Sequence, residues 1–248
     1  MRIDDGSGAL QKLGRKRRNN LSLRNSSKKK RQLKEDRVNL SDILFTKHRD
    51  FLITYNDRHC PVQAKHLEGK VIVLHFVPLV KWSNKLRLYV SSLVDIYNAR
   101  HSKGGLEVVF VGLKFGKNAS NPQKLSKYFE QKFSMMPWLA IPFSDIESPE
   151  HWEARVRFPL TPWIGEYDTA SVVIDPTGVV LKWFADDYFV RYGAEGYPFT
   201  DKRIGFLKSR DKEALKYPSV TNRLTSPQRD YVINNKNQEI PVLGVLLD

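Results

Sequence analysis

Apolar positions change texture near residue 40. From there on, unbroken apolar runs of strand length alternate with stretches in which apolar residues recur every three or four positions. "VIVLHF", residues 71–76, is such a run and predicts a strand covered on both faces. After it, Ser83 or Asn84 can cap a helix whose apolar positions Leu86, Val90, Leu93, Val94 and Tyr97 share one face, until Gly104 and Gly105 stop it. "LEVVFVGL", 106–113, is the next buried strand, so strand, helix and strand form a right-handed βαβ unit. A second helix is expected over 121–133, with Leu125, Phe129 and Phe133 inward. "MPWLAIPF" reads as extended and "PEHWEARVRF" as a short helix. "SVVIDPTGVVLKWF" has the run–turn–run signature of a hairpin, and "DKRIGFLKSRDKEALK" is a last helix capped by Thr200. Upstream, "NLSDILFTKHRDFLI" predicts a short helix entering a strand, and "HCPVQAKHLEGK" a second strand and a loop. The order β-α-β-α-β-β-α predicts an α/β fold, a central mixed sheet with helices on both faces.

Charge separates the first forty residues from the rest. They hold 13 Lys/Arg against 4 Asp/Glu and no tryptophan, tyrosine or phenylalanine, so residues 1–39 are expected to be a disordered basic tail. The remaining residues carry only +5 of the net +14, too little to call for a nucleic-acid partner except weakly through the tail. Two clusters, Arg15-Lys16-Arg17-Arg18 and Lys28-Lys29-Lys30-Arg31, are spaced like a bipartite nuclear import signal, which implies an acidic import receptor as partner. Nucleus and cytoplasm are the expected compartments. No run approaches the ~18 apolar residues of a membrane span. Hydrophobic residues make up 41% of the chain, enough for a core without disulfides, and the single cysteine, Cys60, forbids an internal one.

The chain also repeats itself. "RDFLITYNDRHCPV", 49–62, matches "RDYVINNKNQEIPV", 229–242, without gaps, an offset of about one domain. The expected organisation is therefore a tail over 1–39, a domain over 40–216, and the start of a second, truncated module over 217–248. Together with "LEGKVIVLHF", "MPWLAIPF", "VVIDPTG", "GAEGYPFT" and "SPQRDYVI", these segments resemble the plant nucleoredoxins, proteins built of tandem thioredoxin-fold modules. The resemblance runs from about residue 40 to the end. It implies a thioredoxin-like fold and, by family, a protein-disulfide reductase that works through a Trp-Cys-x-x-Cys turn.

Here the turn reads "LVKWSNK". In the ungapped register the two cysteine positions fall on Lys81 and Asn84, with Trp82 and Ser83 between them; a two-residue insertion moves them to Ser83 and Leu86. No register restores a thiol. Disulfide reduction needs a nucleophilic thiolate and a second thiol to resolve the mixed disulfide. The cis-proline that the family sets opposite this turn is also replaced, by Thr169 in "DTASVVID". The reading is thus a module without the catalytic motif that binds a protein partner through Lys81, Trp82, Ser83, Asp168 and Thr169, with Trp82 as an exposed aromatic anchor. Two alternatives stand beside it: an oxidoreductase by family descent, and a structural protein resembling the sieve-element occlusion type, whose members "MPW", "VVIDPTG" and "PFT" also fit.

Other candidates carry less. Cys60 aligns with Ile240 in the repeat and reads as a strand residue. His59, Cys60 and His66 match no zinc spacing, so no metal or other cofactor is expected. Asp145, Glu147, Glu150, Asp186 and Asp187 read as solvated surface charge, and Trp138, Trp152, Trp163 and Trp183 as core.

Overall fold

The structure is a computed structural model that describes residues 37–57, 61–216, 231–233 and 238–241. In chain order its elements are α1 (Leu40–Leu44), β1 (Phe51–Leu52), β2 (Val62–Gln63), β3 (Val71–Pro78), α2 (Asn84–Arg100), β4 (Leu106–Leu113), α3 (Pro122–Phe133) and β5 (Leu139–Ala140). There follow α4 (Pro149–Val156), α5 (Thr161–Tyr167), β6 (Ala170–Ile174), β7 (Val180–Trp183), α6 (Asp186–Tyr192), α7 (Asp201–Lys216), β8 (Tyr231–Ile233) and β9 (Glu239–Pro241).

Five strands form one mixed sheet in the order β5-β4-β3-β6-β7. β3 pairs in parallel with β4, from Val71 opposite Leu106 to Pro78 opposite Leu113, and antiparallel with β6, from Ile72 opposite Ile174 to Phe76 opposite Ala170. This is the thioredoxin-like arrangement the resemblance implies. The unbroken apolar run of β3 follows from its two covers, because successive side chains leave a strand on opposite faces. Val71, Val73 and Val77 pack with α2, α3, α6 and α7, whereas Ile72, Leu74 and Phe76 pack with α1, α4 and α5.

Local chemistry accounts for the element ends. Ser83 is the cap of α2, its Oγ accepting from Leu86 N–H at 3.0 Å; Asn121 and Thr200 cap α3 and α7 in the same way. After α2 and a short 3-10 turn, Gly104 takes a left-handed conformation with φ 71°. In the β6–β7 turn Asp175 Oδ1 accepts from Thr177 N–H, Thr177 Oγ1 and Val179 N–H. Gly178 lies so near Val38 that a Cβ there would stand 2.4 Å from the Val38 carbonyl oxygen.

Several expectations change. The folded body reaches back past residue 40: Arg37 bridges Val179, Val38 N–H donates to Gly178, and Asn39 caps α1. α2 buries Tyr89 and Ile96 in addition to the expected stripe, while Val94 is only half-buried. Two helices, α5 and α6, were not expected. Pro162 sits in the first turn of α5, where a missing N–H costs nothing. α6 opens with Asp186 and Asp187, acids at the positive end of the helix dipole. Asp186 is therefore not solvated surface charge but 5% exposed. Asp145 pairs with the buried Arg49 and so is tied into the fold, whereas Glu147, facing Lys114, stays at the surface as expected. Trp138 and Trp152 are fully buried, whereas Trp163 and Trp183 are half-buried.

A short antiparallel hairpin falls on each copy of the internal repeat. β1 and β2 pair with Phe51 opposite Gln63, and Ile53 extends them onto the sheet edge by exchanging hydrogen bonds with Ala140. β8 and β9 pair with Tyr231 opposite Pro241. Allowing for the offset of 180, the register differs by two residues.

Candidate functional site

At the end of β3 the chain turns into α2. Leu79 N–H donates to Leu113 and Val80 N–H to Pro78, which closes the exit of the strand. Lys81 and Asn84 are exposed, and Trp82 and Ser83 half-buried. Trp82 is thus not a free-standing anchor. Its ring packs against the core on the α2 side of the sheet, and two cations lie over it: the Lys132 ammonium at 4.2 Å from the ring centroid and the Arg87 guanidinium at 5.2 Å.

Lys132 is the unexpected residue. It comes from the last turn of α3, is completely buried, and its Nζ has no hydrogen-bond partner. Burial pushes its pKa down, Asp168 opposes this and Arg87 adds to it, and the balance lies at about 8. Asp168 lies on the loop before β6, at the left-handed C-cap of α5. Lys132 therefore connects the two loops named from the sequence: it lies over the turn residue Trp82 and is attracted to the loop residue Asp168. Thr169 is placed differently from the expectation. It is 1% exposed, with Oγ1 donating to the Phe76 carbonyl at 3.0 Å, so its side chain ties the loop to β3 and offers no surface to a partner.

Beneath the turn lies a buried relay. His75 on β3 faces Ser171 on β6, with Nδ1 2.8 Å from Ser171 Oγ. Ser171 Oγ donates to Asp186 Oδ1 at 2.7 Å, and Ser171 N–H to Asp186 Oδ2 at 2.8 Å. The Ser171 and Thr169 hydroxyl protons are thus committed, to Asp186 and to the Phe76 carbonyl, so Nδ1 of His75 carries its own proton and donates. Nε2 is left as a buried acceptor without a hydrogen-bond partner, and Trp138 stands edge-on to the ring at 6.2 Å. Burial, reinforced by Lys132, lowers the His75 pKa to about 3; burial raises that of Asp186 to about 6, against its hydrogen bonds from Ser171. His75, Ser171 and Asp186 are all enclosed, so the relay stiffens the floor of the site without meeting a substrate.

The arrangement offers an exposed cation, a half-exposed ring and a stranded ammonium at the head of a helix. It can hold a ligand; among the described residues it contains no thiol. No group of three or more His, Cys, Asp or Glu stands ready for a metal among those residues, and none of their helices is long and apolar enough to cross a membrane. His59, Cys60 and both basic clusters, 15–18 and 28–31, lie outside the described residues. Lys132 could have been found in the sequence, because it stands seven residues after Leu125 and three after Phe129, on the apolar face of its helix. His75, a lone polar residue within an unbroken apolar strand, is a second such signal.

No family model matches the chain. Among curated proteins it is similar to probable nucleoredoxin 1 of Arabidopsis thaliana, 28% identical over 209 residues, which covers 84% of this chain and 32% of that protein. Probable nucleoredoxin 2 of Oryza sativa subsp. japonica is 28% identical over 75% of this chain and 42% of its own length. Probable nucleoredoxin 3 of Arabidopsis thaliana is 30% identical over 68% of this chain and 38% of its own. The chain thus spans less than half the length of each. Among solved structures, tryparedoxin I from Leishmania major is 19% identical with a TM-score of 0.46, covering 61% of this chain and 92% of that one. Tryparedoxin I from Crithidia fasciculata is 23% identical with a TM-score of 0.43, over the same shares.

Proposed function

We infer that this chain, a nucleoredoxin-like protein of the thioredoxin superfamily, is a non-catalytic module that docks a protein partner at its strand-to-helix turn. One observation carries the reading. In every register of the turn the two cysteine positions hold other residues, Lys81 and Asn84 or Ser83 and Leu86. What occupies the turn instead is Trp82 with cations over its ring. Removing the thiols removes the nucleophile and the resolving group. The rigid platform remains, because β3 is buried along its whole length and α2 is pinned through Leu86, Val90 and Leu93. The docking face consists of Lys81, Trp82 and Ser83 with Asp168; Thr169 holds the facing loop from behind.

The basic clusters at 15–18 and 28–31 give this reading its compartments, nucleus and cytoplasm, with an import receptor as a second partner. Residues 217–248 are read as the start of a further module on the strength of the internal repeat.

The test is capture of partners on wild-type and Trp82→Ala baits, followed by affinity and melting measurements with each captured protein. Loss of the ring is expected to weaken the complex by about 1–3 kcal/mol, the range of a modest aromatic hot spot. Folding stability is expected to fall by less, because the half-buried ring leaves some core contact while the Lys132 ammonium gains water. Equal binding by both baits overturns the docking role of the turn.

A further inference from the structure

The identity of the group that docks can be narrowed, on the premise of the docking reading above. α2 is a helix of 17 residues whose N-terminus carries the positive end of its dipole. Acids are favoured there, yet its first turn has none, and Lys81 and Arg87 stand at that end with their side chains exposed. This arrangement works against the helix, so it asks for an anion from outside. A second, independent observation points the same way. Lys132 is 0% exposed, its Nζ has no hydrogen-bond partner, and its ammonium is aimed at the Trp82 ring, 4.2 Å from the centroid. A buried cation without a hydrogen-bonded anion is costly, and a carboxylate brought to it converts that cost into a charge-assisted pair.

We propose that this site receives an acidic peptide segment of the partner, with a carboxylate approaching the cations at the head of α2 and pairing with Lys132 once the Trp82 ring turns aside. A peptide is favoured over a free anion because exposed apolar side chains stand close in the chain to the cationic residues. Leu88, one turn along α2 from Asn84, is 51% exposed, and Met135, three residues beyond Lys132, is 49% exposed. The segment that fits therefore alternates acidic and apolar side chains. Asp168 is the anion of the fold that acts on Lys132, and the incoming carboxylate takes over that role.

The experiment uses the full chain and two short probes, a peptide alternating glutamate with leucine and its glutamine counterpart. Amide shifts of uniformly labelled protein locate the binding, and titration gives the affinity. The glutamate peptide is expected to move the amides of 81–87 and the Trp82 indole, to bind more weakly as salt rises, and to lose about tenfold in affinity in Lys132→Met. Lys81→Glu, a surface change that spares the fold, is expected to weaken it as well. Equal affinity of the glutamine peptide, unchanged affinity in Lys132→Met, or shifts confined to the basic tail each overturn the proposal. So does tighter binding of an RNA oligomer at the same amides. A captured partner that still requires Trp82 while the two peptides bind alike defeats this inference alone; a partner indifferent to Trp82 defeats the docking reading beneath it.

Discussion

Replacing Lys132 with methionine should make the protein more stable. The ammonium is completely enclosed and its Nζ has no hydrogen-bond partner, and its pKa falls from 10.5 to about 8. Each tenfold change in proton affinity is worth about 1.4 kcal/mol, so keeping this group charged at neutral pH costs about 3 kcal/mol. Two terms of opposite sign modify that gain when the lysine is removed. The cation–π contact with Trp82 disappears, a loss of about 1–2 kcal/mol for a desolvated pair, while a methionine sulfur near the ring recovers about 0.3–1.5 kcal/mol. Methionine also keeps the unbranched shape of the stem, so no cavity opens. The net gain is about 1–3.5 kcal/mol, which in a chain of this size raises the melting temperature by about 2–14 °C. The sign of the pH dependence follows from the lowered pKa. Between about pH 8 and 10.5 the folded protein binds fewer protons at Lys132 than the unfolded chain does, so the wild type gains stability as pH rises through that window. The advantage of Lys132→Met should be full at pH 7 and shrink toward pH 10. Urea unfolding of both proteins across this range measures it. A variant less stable than wild type at pH 7, or a difference that does not change with pH, refutes the claim that the ammonium is stranded.

The buried pair beneath the turn should respond to acid in a compensated way. His75, lowered to about 3, contributes stability that is full above its unfolded pKa of 6.5 and lost as pH falls; Asp186, raised to about 6, contributes stability present below 3.8 and lost as pH rises. Between about pH 4 and 6 the two oppose each other, so Asp186→Asn should add a slope of about 1.4 kcal/mol per pH unit that acid unfolding curves would reveal. An unchanged slope would mean that the two groups do not titrate as described. In the tail, alanine replacement of both clusters, 15–18 and 28–31, should leave a fluorescent fusion spread through cytoplasm and nucleus where the unaltered tail concentrates it in the nucleus. An unchanged distribution removes the import reading.

The sheet was legible because its signal is local. The run around Leu74 and the run around Val109 are apolar on both faces, and only a strand buried on both sides needs that pattern. The starts of α2, α3 and α7 were readable for the same reason, since Ser83, Asn121 and Thr200 each act on the residue three positions on. The helices at Thr161–Tyr167 and Asp186–Tyr192 were not, because seven residues are too few to establish a period. The site was half legible. Which residues occupy the turn follows from alignment with the family motif, but the setting of Trp82 depends on Lys132, fifty positions away and brought over the ring by the packing of α3 on the sheet. Asp186 shows the same limit: its carboxylate is buried because Ser171, on a neighbouring strand, supplies two hydrogen bonds to it. Pairings of that kind leave no trace in local spacing.

The central claim is that a thioredoxin-like fold here works without dithiol chemistry, and reduction of insulin disulfides tests it most directly. With dithiothreitol, or with a thioredoxin reductase and its reductant, the purified protein is predicted to precipitate insulin no faster than the uncatalysed control. Turnover above that rate, abolished by Cys60→Ser, would contradict the account and favour the alternative reading of an oxidoreductase by family descent.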